Sequence, residues 1–92
     1  MKLFLNTVVP KKAVVSLIDD KGNLISQEES TEPLVAIDQL LKKAHLKLKD
    51  IRQIDYHAGP GSFTGLRIGA AVVDSLNFAL GRKVKTRPIS YD

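Results

Sequence analysis

The sequence contains no cysteine and no tryptophan among its 92 residues. The absence of cysteine excludes a disulfide and a thiolate metal site, and the two histidines, His45 and His57, cannot form a zinc site unaided. No apolar run approaches the roughly 18–20 residues of a membrane-spanning helix. The apolar stretch at residues 1–6 is too short for a signal peptide, and polar residues interrupt it too early. We therefore expect a soluble, cytoplasmic protein without a membrane partner.

The length leaves room for one domain, with a single sheet and a pair of helices but no second lobe. Hydrophobic residues make up 43% of the chain and charged residues 26%, which is typical of a folded domain. We therefore expect residues 1–92 to form one ordered lobe.

The net charge of +4 comes from 14 basic and 10 acidic side chains. Four of the basic residues, Arg82, Lys83, Lys85 and Arg87, lie close together near the end of the sequence. Such a cluster is able to contact RNA phosphates. It is also typical of an edge strand that charge keeps soluble, which is a common device in sheet proteins. The second interpretation is favoured, so a contact with tRNA is expected to be indirect or weak.

Three strands are predicted at the start of the chain: Lys2–Asn6, residues 13–19 and residues 23–28. The segment 20–23 contains Gly22 and is typical of a hairpin turn. The segment 7–12, with Pro10 and two lysines, is the other reversal. These signals predict an antiparallel three-stranded meander.

Helical signals follow the meander. Ser30 or Thr31 can cap a first helix that has Pro33 in its first turn and ends near residues 45–46. A strand is expected at 51–58, a second helix at 66–80 ended by Gly81, and a last strand at 83–89. The order β-β-β-α-β-α-β predicts an α/β fold with a mixed five-stranded sheet, which is the pattern of a ribonuclease-H-like half-domain.

The second predicted helix is apolar on more than one side. Between Leu66 and Leu80 only Arg67, Asp74 and Asn77 are strongly polar. A helix of this kind must be covered on most sides, and the sheet covers only one. Either a partner chain or the first helix covers the second side, and composition alone leaves both alternatives open.

The segment GPGSFTGLRIG, residues 59–69, follows a predicted strand and leads into the second helix. Glycine backbone and the start of a helix favour anions, so the loop is a candidate anion site. It lacks the lysine and the ending of a Walker A loop. The alternative is a structural connector with Phe63 in the core and Thr64 as the helix cap. The residues in question are Gly59, Pro60, Gly61, Ser62, Phe63, Thr64, Gly65 and Arg67.

Catalytic residues are not apparent. A two-metal nuclease needs several acidic side chains that converge, but the first strand ends in Asn6, and Asp55 is followed by Tyr56 and His57. No Ser–His–Asp set can be assembled. We therefore expect no catalytic residue, no metal site and no cofactor in this chain.

GPGSFTGLRIG resembles the hallmark of the bacterial TsaB proteins. The resemblance continues at lower similarity in LFLNT at 3–7, in VVSLID at 14–19 and in residues 33–56. It implies the N-terminal lobe of a ribonuclease-H-like, actin-like (ASKHA) fold, with the second lobe absent. The strand end Asn6-Thr7 departs from the family's Asp-Thr, which counts against metal-nucleotide binding.

The resemblance also implies a role and partners. TsaB proteins are the non-catalytic dimerisation subunit that binds the catalytic subunit TsaD, with an ATPase subunit, to make threonylcarbamoyladenosine in tRNA. The alternative for this chain is a reduced kinase-like enzyme lobe that holds a nucleotide phosphate in the loop. A TsaD-like subunit or a second copy would contact the two helices. Carried onto this sequence, the interface comprises Leu34, Ile37, Leu41, Leu66, Gly69, Ala70, Val73 and Asn77.

Overall fold

The computed structural model describes residues 1–61 and 63–82. Its elements are β1 (Lys2–Asn6), β2 (Ala13–Ile18), β3 (Leu24–Ser30), α1 (Pro33–Ala44), a 3-10 turn (Leu48–Asp50), β4 (Gln53–Tyr56) and α2 (Phe63–Ala79). The predicted order of strands and helices is therefore confirmed as far as α2. The predicted last strand, 83–89, lies outside the described residues.

The four described strands form one mixed sheet in the order β3-β2-β1-β4. β1 pairs antiparallel with β2 and parallel with β4, and β2 pairs antiparallel with β3. The parallel pair needs a crossover, which α1 supplies. The fold is thus α/β with a mixed sheet, as expected, and four of the five expected strands lie in the described part of the chain.

The turn between β2 and β3 is organised by Asp19. Its Oδ1 accepts hydrogen bonds from the backbone N–H groups of Lys21 (2.9 Å) and Asn23 (2.8 Å). Gly22 has a φ of 86°, a left-handed conformation that glycine adopts without strain. These contacts fix the hairpin register and place β3 along the outer side of β2.

Helix α1 begins at Pro33, where the missing N–H costs nothing. Neither Ser30 nor Thr31 is its N-cap: Glu32 holds that position without a side-chain cap, while Ser30 Oγ accepts a hydrogen bond from the N–H of Glu32 at 3.3 Å. The helix ends at Ala44, and His45 follows in a left-handed conformation with φ 57°. The helix bounds thus agree with expectation, and the capping residue differs.

The core lies between the sheet and both helices. Alternate residues of β1, β2 and β4 point to the helices, while α1 packs on β2 and β3 and α2 packs on β4 and β1. Within the described chain the buried hydrophobic cluster comprises Leu3, Leu5, Ala13, Val15, Leu17, Ala36, Ile37, Leu40, Leu41, Ile51, Ile54, Tyr56 and Val73. This arrangement brings the carboxyl ends of β1 and β4 beside the start of α2.

Helix α2 begins at Phe63, three residues before the predicted start. The motif residues 63–65 therefore belong to its first turn, and the connection from β4 is correspondingly short. In residues 1–61 and 63–82, neither helix combines the length and apolar content that crossing a bilayer requires.

Candidate functional site

The connection from β4 to α2 is held against the end of β1. The backbone N–H of His57 donates a hydrogen bond to Leu5 O at 2.9 Å, which continues the parallel pairing. The ring Nε2 of His57 lies 3.1 Å from the carbonyl oxygen of Pro60, a distance at which a protonated nitrogen donates. Gly59 has a φ of 127°, where a side chain would be strained. His57 therefore supports the loop.

Two glycines of the motif allow close packing against the connection from β1 to β2. A Cβ added at Gly61 would lie 2.0 Å from Val8 Cγ2. A Cβ added at Gly69 would lie 2.8 Å from Thr7 Oγ1. The spaces that these glycines leave open are thus filled by protein atoms rather than available to a ligand.

Thr7 joins the end of β1 to α2 directly. Its side chain is 8% exposed, and its hydroxyl donates a hydrogen bond to Gly65 O at 2.5 Å. The preceding Asn6 Oδ1 accepts a hydrogen bond from the backbone N–H of Val8 at 3.0 Å. The strand end Asn6-Thr7 thus supports both the following loop and helix α2.

The motif residues expected to form an anion site are spread over a loop and a helix. Gly59, Pro60 and Gly61 lie in the loop, while Phe63, Thr64, Gly65 and Arg67 lie in α2, and Ser62 lies outside the described residues. Thr64 and Arg67 are exposed, and because α2 begins at Phe63, Thr64 lies inside its first turn and is not the helix cap. The packing of Gly61 and Gly69 favours the structural interpretation of the motif.

The described residues at this edge of the sheet provide no cluster of metal ligands. In the part of the chain that the structure describes, no group of three or more His, Asp or Glu side chains could hold a metal ion. The nearest strand carboxylate, Asp55, accepts a hydrogen bond from the N–H of Tyr56 at 2.8 Å and lies 3.7 Å from Lys2 Nζ.

Most residues expected at the partner interface are buried within the chain itself. Leu66 and Val73 are each 1% exposed, and Ile37, Leu41 and Gly69 are also buried; Ala70 is half-buried and packs against the core.

Asn77, the polar member of the expected interface, is buried too. Its Nδ2 donates a hydrogen bond to Ile54 O at 3.3 Å, which explains a polar residue on this side of the helix. These seven residues hold α1 and α2 to the sheet. Of the eight, only Leu34 is exposed.

Another set of apolar residues lies on the exposed surface of the two helices. Phe78 is 78% exposed, Leu34 58% and Ile68 45%; Val35 and Ala71 are exposed as well. We call this surface the helix face, defined by Leu34, Val35, Ile68, Ala71, Ser75 and Phe78. A groove of about 290 Å³ runs along it, lined by Leu34, Ala71, Val72, Ser75 and Leu76. Helix α1 therefore leaves part of the second apolar side of α2 open.

The basic cluster expected near residue 82 is only partly described. Arg82 is half-buried, and its guanidinium Nη2 donates a hydrogen bond to the carbonyl oxygen of Ile51. Arg82 therefore joins the end of α2 to the segment before β4. The three other basic residues, at 83, 85 and 87, lie outside the described residues.

Comparisons with known proteins agree with one another. A family model described as "TsaD: tRNA N6-adenosine threonylcarbamoyltransferase" matches residues 23–86. The protein named tRNA threonylcarbamoyladenosine biosynthesis protein TsaB from Buchnera aphidicola subsp. Schizaphis graminum is 33% identical over 73 residues, which are 79% of this chain and 33% of that protein. The protein of the same name from Escherichia coli K12 is 36% identical over 61 residues, 66% of this chain and 26% of that protein.

A solved structure described as YeaZ from Pseudomonas aeruginosa superposes with a TM-score of 0.75 at 31% identity. The match covers 95% of this chain and 43% of that one. The chain spans between about a quarter and a third of the length of these curated relatives.

Proposed function

The chain belongs to the family described as TsaD: tRNA N6-adenosine threonylcarbamoyltransferase and is TsaB-like within it, and on this premise we propose that it acts in the biosynthesis of threonylcarbamoyladenosine in tRNA. Its part in that process is to bind a TsaD-like catalytic subunit through the helix face. The chain itself contributes no catalytic group.

The observation that carries this proposal is the exposed apolar surface of α1 and α2. Single exposed apolar residues are ordinary, but several of them on two neighbouring helices beside a groove are typical of a protein contact. Phe78, Ile68 and Leu34 are large side chains that burial against a partner would stabilise. Ala71 and Ser75 are small and lie between them, so a partner helix is able to approach α2 closely. This combination suits helix-to-helix packing.

A non-catalytic role is supported by the hydrogen bonds that the polar groups at the strand ends make within the chain. Asn6 and Thr7 are engaged with Val8 and Gly65, and the ring of His57 lies beside the Pro60 carbonyl. Each of these groups thus has a structural partner within the chain. In this proposal a partner supplies the chemistry, and the helix face holds that partner.

The test is the mass in solution, measured by light scattering for the chain alone and for the chain mixed with its cognate TsaD-like protein. We expect a defined complex with that protein. Phe78→Asp should weaken it by about tenfold or more, equivalent to about 1.4 kcal/mol, because a charge would have to be buried at the contact. Leu24→Asp is the matched control, since Leu24 is 59% exposed but lies on β3, away from the helix face.

Three results would count against the proposal. The chain could stay monomeric alone and in the mixture. Both variants could weaken the complex equally, in which case the surface is misassigned. A self-associating chain that ignores the TsaD-like protein would replace the heterodimer with a homodimer on the same face.

A further inference from the structure

A second groove opens at the end of the sheet, next to the helix face. It has a volume of about 300 Å³ and lies between the β1–β2 connection and the first turns of both helices. Its residues are Thr7, Val9, Pro10, Lys11, Lys12, Ala13, Thr31, Pro33, Thr64, Gly65 and Ile68. We call it the lysine groove. Its volume lies at the small end of the range for ligand sites.

The floor and walls of the lysine groove are mostly carbon. Pro10, Ala13 and Pro33 contribute apolar surface, and Val9 and Ile68 are each about half exposed at its margin. The hydroxyl of Thr7 is already committed to Gly65 O. An apolar side chain inserted here would therefore displace water from carbon surface, which favours binding.

The rim of the lysine groove is positively charged. Lys12 Nζ lies 3.0 Å from Glu29 Oε1, while Lys11 has no ion pair with any residue in the described ranges. None of the lining residues is acidic. An occupant that carries a carboxylate beside its apolar group would gain an ion pair, and a basic occupant would be repelled.

We propose that the lysine groove binds a segment of a partner polypeptide in which a large apolar residue is followed by an acidic one. The apolar side chain fills the space between Val9, Pro33 and Ile68, and the carboxylate pairs with Lys11. Ile68 belongs to both the groove and the helix face, so a partner seated on α2 reaches both. In this respect the inference rests on the proposed function, while the groove's own chemistry does not depend on it.

The test uses the isotope-labelled 92-residue chain and two small probes, N-acetyl-Phe-Asp amide and N-acetyl-Phe-Lys amide. Backbone amide shifts at Ala13, Thr31 and Ile68 report occupancy of the groove. We expect saturable shifts with the acidic probe and binding of the basic probe at least about tenfold weaker. Lys11→Gln should remove that preference for the acidic probe. Lys21→Gln, the same change in the β2–β3 turn, should leave it intact.

Several outcomes would overturn the proposal. Equal binding of both probes would exclude the role of the lysines, and no shift at millimolar probe would exclude the groove as a peptide site. Shifts produced by Mg²⁺–ATP but by neither probe would assign the groove to a nucleotide instead. Loss of the preference in both lysine variants would indicate a general charge effect.

The two proposals fail in different experiments. Failure of the chain to bind a TsaD-like protein would remove the proposed function but would not alter the probe titration. A negative probe titration, combined with a complex that Phe78→Asp weakens, would remove the groove assignment and leave the proposed function standing.

Discussion

The hydroxyl of Thr7 donates a hydrogen bond to the carbonyl oxygen of Gly65, with 2.5 Å between the two oxygens. The partners are 58 positions apart in sequence, so this contact ties the end of the first strand to the first turn of α2. It also lies directly beside Gly69, whose missing Cβ leaves the room for Thr7. The position of α2 on the sheet therefore depends on a strand-end side chain.

Replacing Thr7 by Val keeps the shape of the side chain and removes its hydrogen-bond donor. Because Thr7 is buried, we expect the free energy of unfolding to fall by about 1 kcal/mol. Thr7→Ser retains the hydroxyl, so its free energy of unfolding should fall by less than that of Thr7→Val. Urea unfolding followed by circular dichroism measures both variants, and equal losses in the two would contradict a role for the hydrogen bond.

Gly61→Ala should destabilise the fold by about 1–3 kcal/mol, because the added Cβ would collide with Val8 Cγ2. The matched test is the double variant with Val8→Ala, which removes the colliding methyl groups. We expect the double variant to be more stable than the sum of the two single losses predicts. If the losses in unfolding free energy, measured by thermal or urea unfolding, simply add, the two residues are not in contact.

Val73→Asp and Phe78→Asp place the same charge on one helix with opposite consequences. Val73 is in the core, so its replacement should cost several kcal/mol, about 3 or more, and unfold much of the population. Phe78 is 78% exposed, so its replacement should change the unfolding free energy by no more than about 0.5 kcal/mol. Unfolding curves of the two variants check this, and a large loss for Phe78→Asp would mean that Phe78 packs within the chain.

The β2–β3 turn should weaken in acid. The backbone N–H of Asn23, with smaller contributions from Lys21 and the Asn23 side chain, holds the pKa of Asp19 below its ordinary value. A folded pKa below the unfolded one adds stability above the unfolded pKa of about 3.9, and that stability is lost as the pH falls through the folded pKa.

Asp19→Ala should therefore be less stable than the unchanged chain at neutral pH, and the difference should shrink below about pH 4. Asp38→Ala is the control, since Asp38 has an exposed pair with Lys42 at 3.0 Å and should have little effect. Thermal unfolding across the pH range measures both. A pH-independent difference for Asp19→Ala would contradict the assignment.

The sequence predicted the element order because strand alternation, Gly22 and Pro33 are strong local signals. It could not predict which side of α2 faces the sheet. Apolar residues occur on several sides of that helix, so their spacing does not select one, and only the packing of Leu66 and Val73 on the strands decides it. Seven of the eight residues expected at the interface are therefore buried or half-buried within the chain, and the spacing gave no reason to expect Phe78 on the exposed side.

The start of α2 was misplaced for a related reason. Glycines and a proline at 59–61 and at 65 resemble a continuous loop, but tertiary contacts of Gly65 and Gly69 with Thr7 allow the helix to begin at Phe63. Local propensity contains no information about a contact with a distant strand end. The same limit applies to the lysine groove, whose walls come from three separated segments.

The early start of α2 within the motif bears on how an interaction screen should be interpreted. Gly61 and Gly69 pack against Val8 and Thr7 within the chain, and Gly69 belongs to the helix that carries Ile68 and Phe78. Substitutions at the two glycines would thus reduce assembly at a distance. Under the proposed function, a binding footprint drawn from loss of association alone would therefore include these two glycines, although they pack against the chain's own residues.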